Sequence, residues 1–175
     1  MWIGAEKDTV RLMITQWTET LGIPVIICRG FGSQSYVDQV RDRVLDDGRP
    51  AVLLYVGDWD ASGEDIQRDW MKRTGCWSVA RRLAVTKRQA NGLPSAPAKQ
   101  GDPRWPKFAA RHGYDVHNPV QWEVEALPPE RLRRLVLAAV DRYLDRAQFN
   151  RVLDRERREQ AELAAFVRQW RDRSP

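Results

Sequence analysis

Short apolar runs alternate along the chain with stretches in which apolar side chains recur every three or four positions. That rhythm belongs to successive βα units and predicts an α/β fold with a parallel sheet flanked by helices. Trp2 and Ile3 open as a strand, and Val10, Met13, Ile14, Trp17 and Leu21 then share one helical face before Gly22 stops the helix. Pro24 to Cys28 reads as a β-branched strand. The turn Arg29-Gly30-Phe31-Gly32-Ser33 ends on an N-cap residue and opens a helix with Tyr36, Val37, Val40 and Val44 inward, closed by Gly48 and Pro50. Ala51 to Gly57 is the most apolar run, as expected of a strand buried on both faces, and it ends directly on Asp58.

Gly63 to Arg73 follows as a helix with Ile66 and Trp70 inward, then Cys76 to Leu83 as a strand with basic ends. Gly92 to Pro106 is rich in Pro, Gly and Ser and reads as an ordered loop. Val120 to Ala126 is a short strand ahead of Leu127-Pro128-Pro129, where proline in the first turn starts a long helix. Leu132, Leu135, Val136, Ala139, Val140, Tyr143, Leu144 and Ala147 trace its inner face, and the charged run Asp154 to Glu159 interrupts the pattern. Leu163, Phe166, Val167 and Trp170 form a second stripe that needs a covering surface, from this domain or from a partner. The expected organisation is an α/β domain over 1–127 and a helical C-terminal extension over 128–175 that packs on the domain, on a protein partner or in a homodimer.

A 175-residue chain that is 42% hydrophobic and 30% charged, with a mean hydropathy of -0.60, excludes long disordered, collagen-like and membrane classes. No run approaches the roughly 18 apolar residues of a membrane span, and Met1 to Asp8 lacks a signal-peptide layout, so the expected location is cytoplasmic. Cys28 and Cys76 are far apart without a C-x-x-C spacing, as suits reduced thiols. The formal charge of +5 hides a segregation. Residues 1–67 carry 6 Lys/Arg against 11 Asp/Glu, whereas residues 68–111 carry 11 against 2. An acidic front beside a basic middle fits a cation site next to a polyanion-binding surface, the plainer alternative being a solvated basic face.

The chemistry concentrates at Tyr55-Val56-Gly57-Asp58-Trp59-Asp60-Ala61-Ser62-Gly63. Ligands of open α/β sheets bind outside the carboxyl ends of the strands, where Asp58 and Asp60 stand. Two carboxylates pointing into one crevice repel each other unless a Mg²⁺ or Mn²⁺ ion joins them. The other reading is that they cap the helix that begins near Gly63. Glu6 holds the equivalent place after the first strand, or serves as a first-turn acid favoured by the helix dipole. Three such acids ahead of a basic segment suit metal-assisted phosphoryl transfer on nucleic acid.

A Glu after the first strand and Asp-x-Asp after the third resembles the Toprim domain of topoisomerases, bacterial primases, recombination proteins and overcoming-lysogenization-type nucleases. The likeness is greatest to the Toprim of the A subunit of type IIB topoisomerase (topoisomerase VI) and its meiotic double-strand-break relative. Their Asp-x-Asp-Pro-x-Gly is here Asp58-Trp59-Asp60-Ala61-Ser62-Gly63, with Ala61 for the proline. The resemblance covers residues 1–83, and Glu123-Val124-Glu125-Ala126-Leu127-Pro128 looks like the segment that follows in that group. It implies a Toprim-like (Rossmann-like) fold, a Mg²⁺ site on Glu6, Asp58 and Asp60, and Glu6 as candidate general acid or base. The attacking tyrosine of type IIB enzymes lies in a winged-helix domain ahead of the Toprim, so no covalent tyrosyl-DNA link is expected from this chain alone. It is then a fragment of a longer protein, a user of metal-activated water, or a non-catalytic nucleic-acid or protein-binding module.

Lys7 beside Glu6 is a candidate for neutralising a phosphate, and Arg29 with the glycine turn a candidate phosphate cradle. Arg81, Arg82, Lys87 and Arg88 bracket the end of the fourth strand as candidate DNA-backbone contacts. Trp59 is placed either to stack on a base or to fill the core. Neither His112 nor His117 has an acid or nucleophile at a triad spacing. Asp58-x-Asp60-x-Ser62 also approximates the haloacid-dehalogenase phosphatase motif, but that family carries it after the first strand and needs a later lysine and acidic pair.

Overall fold

Four short strands lie side by side in one parallel sheet. In the computed structural model, which describes residues 1–30 and 32–173, β1 (Trp2–Ala5), β2 (Val25–Ile27), β3 (Val52–Val56) and β4 (Val79–Ala84) are ordered β2-β1-β3-β4. β1 pairs with β3 from Trp2 opposite Leu53 to Ala5 opposite Val56, and on its other edge with β2. The chain steps one way from β1 to β2 and the other way to β3 and β4, so the winding direction switches between β1 and β3. A crevice opens at such a switch, beyond the carboxyl ends of the strands.

Right-handed crossovers place α1 (Asp8–Thr18) on one face and α2 (Gln34–Asp46) and α3 (Ala61–Thr74) on the other. The pleat then sorts the side chains. Trp2, Ile26, Cys28, Leu53 and Tyr55 meet Val37, Val40 and Val44 of α2 and Ile66 and Trp70 of α3 in one cluster. Ile3, Ala5, Leu54 and Val56 point the opposite way and are fully buried, as are Val10 and Ile14 of α1. Gly4 has no room for a side chain, since a Cβ there would sit 2.9 Å from Cys28 Sγ and 3.3 Å from Leu53. Ser33 caps α2 by accepting from the Tyr36 N–H at 3.3 Å, and Gly75 ends α3 in the left-handed region at φ 57°. Phe31 of the preceding turn lies outside the described residues.

Beyond the sheet the structure departs from the sequence expectations. β4 starts at Val79 rather than Cys76. After the short α4 (Lys87–Ala90), the segment expected as loop contains β5 (Ala96–Pro97) and the start of α5 (Trp105–His112). Pro106 falls in the first turn of α5, where a missing N–H costs nothing, and Trp105, Phe108 and Ala109 are buried along one side. The strand expected over Val120 to Ala126 shrinks to β6 (Val120–Gln121), antiparallel to β5, followed by a 3-10 turn over Val124–Ala126.

The long C-terminal helix is two helices, α6 (Pro129–Asp141) and α7 (Arg146–Arg173). The charged run Asp154 to Glu159 lies inside α7, where Arg157 pairs with Asp154 at 3.3 Å and Arg155 with Glu159 at 3.8 Å along the helix. The break falls at 142–145 instead, where Asp145 accepts from the Gln148 N–H at 2.9 Å. The chain forms two compact units, 1–139 and 140–175, divided within α6. Cys28 and Cys76 are free thiols. Among the described residues no helix is long and apolar enough to cross a membrane.

The cluster between β3 and its helices carries the stability of the first unit. Leu53→Ala is expected to cost about 2–5 kcal/mol in urea unfolding. Leu45→Ala, on the solvent side of α2, should stay within about 0.5 kcal/mol.

Candidate functional site

The ends of β1 and β3 bring two acids together at the switch. Glu6 continues β1, its N–H donating to the Val56 carbonyl at 3.0 Å, while Gly57 and Asp58 continue β3. Glu6 Oε2 accepts from the backbone N–H of Asp58 at 3.0 Å and from the Tyr55 hydroxyl at 3.3 Å. Two glycines make room for this carboxylate. A Cβ on Gly57 would lie 2.5 Å from Glu6 Oε2, and one on Gly63 would run into the Asp58 carbonyl. Burial, reinforced by the neighbouring Asp58 charge, pushes the Glu6 carboxyl up to about 7.

Asp58 is itself buried. Its Oδ1 accepts from the Val124 N–H at 2.8 Å, and its Oδ2 lies 3.1 Å from Lys7 Nζ. Burial raises the Asp58 carboxyl above its ordinary range, against the opposing pull of the Val124 N–H and Lys7. Lys7 also reaches Glu125 at 2.8 Å and Glu123 at 3.6 Å. Desolvation works against the lysine charge, but Glu125 and Asp58 outweigh it and hold the ammonium above its usual value. The 3-10 turn is therefore bound to the strand ends from two sides, which explains why a strand cannot continue past Gln121. Trp59 and Trp122 add a reciprocal backbone bridge at 2.8 and 3.2 Å.

Asp60 is the N-cap of α3, with Oδ1 accepting from the Gly63 N–H at 2.7 Å. The helix-capping reading of Asp60 thus describes one of its oxygens, while its charge still raises Glu6 and Asp58. Glu6 Oε1 and Asp60 Oδ2 accept no hydrogen bond among the described residues. Among those residues no group of three Asp, Glu, His or Cys side chains stands in a metal-ligating arrangement, and the cation on Asp58 is the Lys7 ammonium.

Of the candidate phosphate contacts, Arg82 takes a different role. Its Nη1 donates to the carbonyls of Gly57, Asp58 and Val85 at 2.8–3.1 Å, its Nη2 to Gly63 at 2.9 Å and its Nε to Gln67 at 2.8 Å. The guanidinium lies over the rings of Tyr55 and Trp59. With its donors spent on the protein's own carbonyls, Arg82 is a clamp beneath the crevice and not a surface ligand. Arg29, Arg81, Lys87 and Arg88 are exposed. Arg29 lines an open groove of about 400 Å³ together with Glu6, Lys7, Asp8, Thr9 and Gly30.

Trp59 is buried in an aromatic layer, edge-on to Phe108 and His112, with its indole N–H donating to the Tyr114 hydroxyl at 3.0 Å. It fills the core and is closed to a stacked base. Two features escape the sequence pattern. His112 meets Glu64 at 2.9 Å beside the Arg111–Glu64 ion pair, which ties α5 to α3. A second groove, of about 330 Å³, starts at Ala61 and is walled by Arg68, Arg104, Lys107 and Arg111 together with Glu64 and Asp65, the partners of Arg111 and Arg68. The i, i+3, i+7 spacing of Arg104, Lys107 and Arg111 is the available signal, hidden because Gly92 to Pro106 reads as loop and the residues that follow show no element of their own in the pattern.

Replacing Arg82 by Met leaves several buried carbonyls without donors and should destabilise the protein by on the order of 3 kcal/mol in chemical denaturation. A second expectation concerns pH. A carboxyl raised from 4.5 to about 7 on folding keeps its proton longer in the native state. Its contribution is fully present below pH 4.5 and is lost as pH rises through 7. In EDTA-containing buffer, stability should fall over that window, and Glu6→Gln should flatten the slope measured by thermal melts. No model of a known protein family matches the chain, and no curated protein matches it either.

Proposed function

We propose that the chain is a Toprim-like module that binds Mg²⁺ or Mn²⁺ on Glu6, Asp58 and Asp60 and carries out phosphoryl transfer on the DNA backbone. The observation that carries this reading is the Glu6–Asp58 pair at the β1/β3 switch, linked by the Asp58 N–H at 3.0 Å and balanced by the single ammonium of Lys7. The donor chemistry fits a hard cation. Glu6 Oε1 and Asp60 Oδ2 are unspent carboxylate oxygens, and Asp58 Oδ2 already faces a positive charge. An ion held there would supply charge neutralisation at a phosphoryl oxygen and at the group attacking it.

The chain's own residues supply the rest. Lys7 remains protonated and, released from Asp58, is the nearest cation for a non-bridging phosphate oxygen. Glu6, half-titrated near neutrality in the metal-free protein, is the candidate general acid or base. Arg29 flanks Lys7 in one groove, and Lys107 lines the groove that begins one residue after Asp60 with Arg68, Arg104 and Arg111, whose exposed ion pairs a phosphate could share. The Tyr55 hydroxyl, the one that reaches Glu6, donates to its carboxylate, and water is the attacking group in this reading.

A second reading, a non-catalytic nucleic-acid-binding module, draws on the ion pair between Lys7 and Asp58 and the capping role of Asp60. Plasmid nicking separates the two. With Mg²⁺ or Mn²⁺ the protein should nick supercoiled DNA, and EDTA should abolish it. Asp60→Asn keeps an N-cap of equal quality for α3 but removes the charge. It should slow nicking by about a hundredfold or more, as should Asp58→Asn. DNA binding that persists unchanged in EDTA, with no nicking in either metal, would sink the catalytic reading.

A further inference from the structure

We infer that α7 pairs antiparallel with α7 of a second copy of this chain, about a two-fold axis near residue 158. At 28 residues the helix is about 42 Å long, yet between 146 and 171 only Phe149, Leu153 and Ala165 are even half-buried. The unit over 140–175 holds the end of α6 and α7 and no other element among the described residues. Helices in water owe most of their stability to packing of an apolar face, and α7 has such a face. Val152, Leu163, Phe166 and Val167 are exposed by 45%, 64%, 61% and 40%.

The spacing of that face identifies its cover. Phe149, Leu153, Glu156, Gln160, Leu163 and Val167 follow one another in alternating steps of four and three, the 3.5-residue period of a two-helix seam. A seam of this period can meet its own copy either in parallel or reversed, and the polar layers decide between the two. Run antiparallel about residue 158, Leu153 lies against the partner's Leu163 and Val167 against the partner's Phe149. Gln160 then lies against the partner's Glu156; its amide donates one N–H to Glu156 of its own helix at 3.4 Å and has a second for the partner's carboxylate, and the two-fold repeats each layer. Val152, beside the seam, falls opposite the partner's Phe166. In a parallel pair every layer would meet itself, placing Glu156 against the partner's Glu156 in the centre, where two carboxylates repel. At the axis Arg157 and Glu159 each approach their own copy, but Asp154 at 3.3 Å and Arg155 at 3.8 Å neutralise them within the same helix.

The pairing is tested on the full chain by light scattering after gel filtration and by single-cysteine crosslinking. The wild type should have twice the 20.3 kDa chain mass at micromolar concentration, and Leu163→Asp should raise the dimer dissociation constant at least tenfold. Under mild oxidation Glu159→Cys, next to the axis, should form a disulfide-linked dimer that the wild type with Cys28 and Cys76 does not form. Leu163→Cys, displaced from its copy by ten residues or about 15 Å along the axis, should not. A wild-type monomer at high micromolar concentration overturns the proposal. So does a dimer in which Leu163→Cys crosslinks and Glu159→Cys does not, or in which neither does.

Discussion

A single guanidinium underlies the arrangement of the crevice. Arg82 leaves the edge strand, reaches under the neighbouring strand end and gives its N–H groups to four carbonyls, those of Gly57, Asp58, Gly63 and Val85. Those carbonyls belong to the end of β3, the segment after β4 and the first turn of α3; backbone bonds from Gly57 to Ala84 and from Val85 to Gly57 already join the first two, and Arg82 ties the helix turn to them. Burial disfavours the charged guanidinium, and the rings of Tyr55 and Trp59 with the charges of Glu6, Asp60 and Glu64 are what answer it. The acids of the crevice thus have a structural reason to be negative, apart from any ligand. Glu6 stands between two demands, since Asp58 favours its protonated form and Arg82 its ionised one.

The same logic of compensated charge runs outward. Lys7 answers Asp58, Glu123 and Glu125, and Arg111 answers Glu64. Many of the basic residues between 68 and 111 are therefore partly spent: Arg68 on Asp65, Arg73 on Asp69, Arg104 on Asp102. The exposed pairs hold weakly, being screened by water, and can be shared with an incoming phosphate at little cost. Arg82, held by buried carbonyls, cannot.

How much of this the chain discloses by itself varies with how local the cause is. The strands and first three helices follow from periodicity and caps, and Glu6 and Asp58 were placed by the rule that strands of one direction end together. Arg81 and Arg82 show where pattern stops: adjacent strand residues face opposite ways, but alternation does not say which is inside, and two arginines look equally suited to solvent. The 3-10 turn at Val124 arises from bonds to Asp58 and Lys7, partners remote in sequence, so its local β character was misleading. α5 was concealed by Pro-rich surroundings and is held by an aromatic layer from Trp59, Tyr114 and Trp122. The break at 142–145 was missed for the opposite reason, because the apolar stripe runs through it unbroken.

Lys7 and Glu125 are 118 positions apart, and Asp58 and Val124 are 66 apart. The sheet, in contrast, is complete once residue 84 has joined it. A chain emerging from synthesis can therefore assemble all four strands, and seat Arg82 beneath them, while the last donor for Asp58 is still unmade. Throughout that interval the buried carboxylate has neither its amide nor a settled ammonium, and the charge must be borne as a proton or exposed to water. The crevice is in this sense completed only after the sheet, and its order depends on a segment that contributes almost nothing to the sheet.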